Sequence, residues 1–417
     1  MIGRRGLIGA ASGLVAAAGT GCGAKAALPD APPPAAAGLE PFWGRHQGGI
    51  ITPPQAHTYA AAFDLVTTRR EQVADLLQRW TLAAAQMSEG QPVQAAGYDA
   101  DAPQADSLDL VGLPPARLTI TFGFGARLFI KEGADRYGLA TRRPQALVDM
   151  PNFPGDQLIE SKTGGDLSVQ ACADDPQVSF HAVRELARLA YDVAEIRWTQ
   201  SGFVAGFGKQ TPRNLMGFKD GTNNPSIDDA AAMDAVVWVG DEGPDWMRGG
   251  SYVVFRRARI FLEHWDRMTV AFQEQTMGRR KASGAPLGKN QEFDKVDLDA
   301  QDADGNPVIP ENSHIRLAAA QTNDGARILR RAYSYSDGIA MTAERWPPWK
   351  QGMEFDAGLL FICYQRDPRT GFIKLFERMA KFDMMNQFVT YTGSALFACP
   401  GGAARGGYVG QALFAAA

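Results

Sequence analysis

Three side chains in this 417-residue chain have the types and settings for redox or proton-transfer chemistry: Asp220, His314 and Arg330. Asp220 lies in residues 217–221, GFKDG, at the centre of the run TPRNLMGFKDGTNN (211–224). Flanking glycines permit unusual backbone angles and let a backbone approach a ligand closely. An aspartate there reads either as a carboxylate aimed at a reactant or as a cap for the turn formers Thr222, Asn223 and Asn224 that follow. His314 stands before the alternating run IRLA. It reads either as a metal-binding imidazole or as a hydrogen-bonded histidine at a strand end. Arg330 and Arg331 are adjacent. On a strand they face opposite sides, so one guanidinium can enter a pocket and the other cannot.

The elements that must position these residues begin near Pro53. Residues 57–67 (HTYAAAFDLVT) and 116–124 (ARLTITFGF) read as strands, as do 167–173 and 196–205. Helices are expected over 69–87, where Val73, Leu76, Leu77 and Trp80 recur at three- and four-residue spacing, and over 180–194. The same order then returns: strand 251–261, helix 265–275, short strands 315–318 and 332–334, strand 359–364, helix 371–381, strand 395–398. Strand–helix–strand, twice in each half, is the split βαβ pattern of a ferredoxin-like fold. The polar, Gly/Asp-rich stretch 283–306 is expected at the surface.

Composition narrows the function class. Formal net charge is −4 and the pI is about 5.8, which gives no electrostatic case for nucleic acid. Cys22, Cys172, Cys363 and Cys399 are too few and too scattered for a disulfide framework, and none forms a CxxC pair. At the N-terminus, Arg4 and Arg5 precede an apolar Ala/Gly-rich run, and Ala24-Lys25-Ala26 offers a small-residue cleavage site. Residues 1–26 therefore read as a twin-arginine-like export signal, implying a periplasmic, extracellular or cell-surface protein. Cys22 follows Gly-Thr-Gly as in a lipoprotein box that lacks its usual Leu, which leaves a lipid anchor open. Residues 27–50, rich in Pro and Ala, are expected to be a linker.

Four segments, NLMGFKDGTNNP (214–225), ENSHIRLA (311–318), ILRRAYSYS (328–336) and AGLLFICYQRDPRTGF (357–372), come in the order found in dye-decolourising peroxidases. The chain from about Pro53 onward resembles that family, most closely the exported deferrochelatase/peroxidase branch of bacterial iron-uptake systems. The resemblance implies an α+β fold of two stacked ferredoxin-like domains, 51–208 and 209–417, of the dimeric α+β barrel type. It implies one haem b per chain, with His314 as the iron ligand on one side and Asp383 orienting its other nitrogen; Asp383 also reads as a helix-surface carboxylate. On the opposite side Asp220 would move protons and Arg330 would stabilise charge, with activity rising toward acidic pH. Gly221 would border the cofactor, and Leu359 and Phe361 would wall its pocket, although by themselves they read as core strand. Arg213 and Lys219 could pair with haem propionates, or Lys219 could be solvated. Ala332 replaces the branch's usual Gly. The implied reactants are hydrogen peroxide and a phenolic or dye-like donor, with electrons passing through surface aromatics. Haem as an iron source, iron-uptake partner proteins and a homo-oligomer are compatible with the same branch. A haem-binding lipoprotein without catalysis is the rival from another class. His46, His57, His181 and His264 have no motif around them and read as structural.

Overall fold

A computed structural model describes residues 38–93, 106–205, 210–343 and 351–415. The expected signal and Cys22 lie outside the described residues, as does the boundary expected at 208/209. Residues 38–50 are not a free linker: Gln47 and Ile50 are buried. Gln47 Nε2 donates to the carbonyls of Phe122 (3.0 Å) and Pro400 (2.9 Å), and the Phe122 N–H donates to Gln47 Oε1 at 2.8 Å. One amide side chain thus satisfies backbone groups from both halves of the chain, which ties this segment into the body.

Among the described residues nine strands form the sheet: β1 (His57–Leu65), β2 (Thr119–Gly125), β3 (Leu167–Ala173), β4 (Ala194–Phe203), β5 (Ser251–Ile260), β6 (Leu329–Arg330), β7 (Tyr333–Ala343), β8 (Gln351–Gln365) and β9 (Val389–Cys399). Their order is β5-β9-β2-β3-β1-β4-β7-β8-β6, and β5 also pairs with β8, so the sheet closes into a barrel. The two halves meet through short ladders, Phe124↔Ala398 with Gly125↔Phe397 on one side and Phe203↔Ser334 on the other.

Period-two alternation decides which side chains fill the barrel. On β8, Leu360, Ile362 and Tyr364 join Val253, Phe255, Tyr333, Tyr335 and Phe397 in one core, while Leu359, Phe361 and Cys363 face the other. Helices cover that outer face. The helix Arg70–Ser88 buries Val73, Leu76, Leu77 and Trp80, the residues whose spacing predicts it. The helix expected over 180–194 instead spans Pro176–Leu189, because Asp175 accepts the N–H groups of Gln177 and Val178 and Pro176 stands at the first helical position. The helix expected over 265–275 is two pieces, Leu262–Trp265 and Val270–Met277, the second capped by Thr269.

One expectation reverses type. Residues 315–318 are not a strand; His314–Leu317 is a single helical turn, with Leu317 N–H bonded to the Ser313 carbonyl and Ala318 N–H to that of His314. Four residues carry too little pattern to separate the two periods. Here Arg316 settles it by donating to the carbonyls of Leu298 and Ile309.

Where β8 closes the barrel on β5, there is no room for a side chain at Gly358. A Cβ on Gly358 would lie 2.0 Å from the Ala258 carbonyl oxygen, where β8 pairs with β5. Gly358→Ala is expected to force these strands apart and to cost about 3 kcal/mol in chemical denaturation. It should also perturb the adjacent Leu359.

Candidate active site

The turn that carries Asp220 is built from its own backbone. Asp220 N–H donates to the Pro212 carbonyl at 2.8 Å, Gly217 N–H to that of Asn214, and Asn214 N–H to that of Phe218. Gly217 (φ +83°) and Gly221 (φ +119°) occupy the left-handed region that side chains resist, so the glycines around Asp220 are what allow the turn. Arg213 staples it: Nη1 donates to the carbonyls of Gly217 (2.7 Å) and Lys281 (2.6 Å), and Nη2 to that of Ala282 (2.7 Å). Lys219 is not solvated. It is ion-paired with Glu292, which also accepts the Thr222 hydroxyl at 3.0 Å.

Arg330 reaches this turn from β6, which is held against β8 by the pairing Arg330↔Cys363. Its Nη1 donates to Asp220 Oδ1 at 3.0 Å. Asn224 fixes it from behind: Asn224 Oδ1 accepts from the Arg330 backbone N–H (3.2 Å) and Nε (3.3 Å), and Asn224 Nδ2 donates to the Arg330 carbonyl at 2.8 Å. Arg331 goes the other way, buried in bonds to Gln55 and the Thr52 carbonyl, as alternation requires. Asp220, Gly221, Arg330, Arg213, Asn224 and Leu359 line one cleft of about 360 Å³. Phe361 faces the same side of β8 two residues further on, with its ring 5.7 Å from that of Phe372.

His314 opens its helical turn with Nδ1 2.7 Å from Asp383 Oδ2. Asp383 is not a surface carboxylate: it is 4% exposed, ends the helix Lys374–Phe382, and accepts the Met385 N–H at 2.9 Å through its other oxygen. Burial by itself would lower the His314 pKa, but the charge and hydrogen bond of Asp383 outweigh it and hold the imidazole above its ordinary value. The charges of Arg330 and Asp220 also act on His314, so the imidazole and the acid–guanidinium pair share one electrostatic environment. With a carboxylate on Nδ1, Nε2 is the nitrogen left to bind a metal, and its basicity is raised.

Of the sequence-selected residues, Asp220, Gly221, Arg330, Arg213 and Leu359 line the cleft, His314 with Asp383 forms a second group on which the charges of Asp220 and Arg330 act, and Phe361 is not part of the cleft lining. Asn224 and Asn214, whose Nδ2 lies 3.5 Å from Asp220 Oδ2, read from sequence as turn formers; their hold on the reactive pair is visible only in the fold.

Two family models match, Dyp-type peroxidase, N-terminal, over residues 47–204 and Dyp-type peroxidase, C-terminal, over residues 211–404. The chain belongs to the Dyp-type peroxidase family. Among its relatives in that family, a dye-decolorizing peroxidase of Thermobifida fusca (strain YX) is 40% identical over 382 residues, covering 88% of this chain and 83% of that one. A deferrochelatase of Escherichia coli (strain K12) is 36% identical over 387 residues, 90% of this chain and 87% of that one. The solved structure of ferric DtpA from Streptomyces lividans superposes with a TM-score of 0.81 at 39% identity, over 92% of this chain and 100% of that one. The N-terminal family match begins at residue 47, in keeping with the packing of Gln47 into the body.

Proposed function

We propose that this chain is an exported, haem b-dependent peroxidase that reduces hydrogen peroxide and oxidises dye-like or phenolic donors. The observation that carries this is the Asp220–Arg330 pair, clamped by Asn224, in a cleft that shares its field with the Asp383-oriented His314. A site built only to bind haem would not need the pair. The residues fit the cofactor: His314 offers Nε2 to an iron, while Gly221 leaves the cleft open, since a Cβ there would meet only Thr211 at 3.8 Å. Bound there, haem supplies the iron and electrons that cleave the peroxide O–O bond. The protein's part is proton handling and charge. Asp220 Oδ1 is tied to Arg330, so Oδ2 is the oxygen placed to take the proton from the near peroxide oxygen and return it to the far one. Arg330, held in a fixed orientation, supports negative charge as the bond breaks. Two protons and two donor electrons then balance the conversion of peroxide to two waters.

Asp383 gives a test of the iron-side assignment. Asp383→Asn keeps a hydrogen-bonding side chain but removes the charge that raises imidazole basicity, so haem affinity is expected to fall about 10–100-fold in a titration followed by absorbance. Unchanged affinity and spectrum would remove Asp383 from the site.

Each half of the barrel reads as ferredoxin-like, on the strand orders β4-β1-β3-β2 and β9-β5-β8-β7. Export rests on Arg4, Arg5 and the apolar run that follows. A second reading, removal of iron from haem, is favoured by the deferrochelatase relatives. Incubation of the haem-loaded protein with peroxide and an anthraquinone dye is expected to bleach the dye only when both are present. Free protoporphyrin fluorescence without bleaching would replace peroxidation with iron removal, and neither signal would end both readings.

A further inference from the structure

Away from the cleft, a second group of side chains converges on a buried histidine. His181 and Glu185 lie one turn apart on the helix Pro176–Leu189, so they project from the same face. Asp106 meets them from a segment 75 residues earlier in the chain than His181. Exposures are 1% for His181, 0% for Glu185 and 4% for Asp106. One ligand-type atom from each lies within 4.8 Å of the others. None of the three lines the Asp220–Arg330 cleft.

The hydrogen bonding orients this group inward. His181 Nδ1 lies 2.7 Å from Asp109 Oδ1 and 3.3 Å from Ser107 Oγ. With Asp109 on Nδ1, Nε2 is the ring nitrogen turned toward the other carboxylates. Nε2 faces Asp106 Oδ2 at 3.7 Å, too long for a hydrogen bond. A ring nitrogen and a carboxylate thus face each other in a buried space across a gap that a bound cation would bridge favourably. Among the described residues Asp106 is paired with no lysine or arginine; its oxygens accept the N–H groups of Val93 and Leu108, each at 2.7 Å. Glu185 accepts the Ser107 N–H at 3.1 Å and both oxygens accept from Arg188 Nη1 at 2.9 and 2.8 Å. These bonds fix both carboxylates in place, and an ionised carboxylate has about four lone-pair sites, so each retains capacity for a metal.

We propose that Asp106, His181 and Glu185 bind a divalent transition-metal ion, zinc being the best chemical match, which pins the segment around Asp106 to the helix Pro176–Leu189. One imidazole and two carboxylates suit zinc, whose bonds to such atoms are about 2.0–2.2 Å; closing the group to that size needs side-chain shifts of roughly 1 Å or less. Asp109 supplies the outer carboxylate that metal-binding histidines commonly use. The ion's role is structural, since it joins two segments distant in sequence and stabilises the folded form by binding to it alone.

The test uses the full-length, haem-loaded protein, treated with EDTA, dialysed against zinc chloride and then freed of unbound metal. Wild type is expected to retain about one zinc per chain by elemental analysis, and zinc should raise its melting temperature by several degrees. Asp106→Asn and Glu185→Gln should lose both the zinc and the shift while keeping the haem absorbance of the wild type. No zinc retained by wild type, or equal zinc in wild type and both variants, overturns the proposal. Absence of zinc in wild type overturns the proposal even if a variant misfolds, and loss of zinc in either variant that keeps the wild-type haem absorbance supports it.

Discussion

Purified His314→Ala is expected to lack the haem Soret band, and haem added back should bind weakly and without the spectrum of an imidazole-ligated iron. His314 is the side chain in this region with a free ring nitrogen and a carboxylate, Asp383, fixing the other at 2.7 Å. Removing the imidazole deletes the iron's protein bond and also leaves Asp383, 4% exposed, without the partner that satisfies its charge. Loss of one partner of a buried charged pair costs about 3–5 kcal/mol, so a lower melting temperature should accompany the spectral loss. His314→Ala with an unaltered absorption spectrum would remove the iron-ligand assignment.

The second large effect separates binding from turnover. Asp220→Asn should retain haem but react with peroxide about 10²–10⁴-fold more slowly in stopped-flow absorbance, because the amide cannot accept the peroxide proton. Arg330→Leu should slow the same step by about 10²–10³-fold through loss of charge support. The two losses are not expected to add: Asp220 and Arg330 share a 3.0 Å ion pair, so removing either also frees the other from its orientation. Asn224 still grips the Arg330 backbone in Asp220→Asn, and the guanidinium should therefore remain near its place. Wild-type rates in both variants would show that neither residue takes part in the peroxide step.

Much of the chain declares its structure locally. Alternation in residues 116–124 and the apolar run 359–364 mark strands, and both form, although β8 begins earlier, at Gln351: its first part, paired with β7, alternates Met353 and Phe355 with Glu354 and Asp356 outside that apolar run. The Val73–Trp80 spacing marks the helix Arg70–Ser88 for the same reason: a repeating period is visible in any window long enough to contain two turns. Glycine beside Asp220 marks a turn, and adjacency of Arg330 and Arg331 on extended chain sends their side chains apart.

What the sequence determined by itself, then, was the type of most elements, the turn that carries the acid, the pair of arginines from which one is selected, and, through its motifs, the family. Tertiary structure decided the partners that no motif names: Asn224 meets Arg330 across 106 positions and His181 meets Asp109 across 72. The meeting of His314 with Asp383 across 69 positions was implied by the family resemblance and is seen as contact only in the fold. Tertiary structure also turned residues 314–317 into a helical turn, drew Gln47 into the body and paired Lys219 with Glu292. Local pattern arises from backbone period and turn chemistry, which a short window contains. A hydrogen bond between distant residues is chosen by which buried donors and acceptors the closed barrel leaves facing each other, and no window of the sequence contains both.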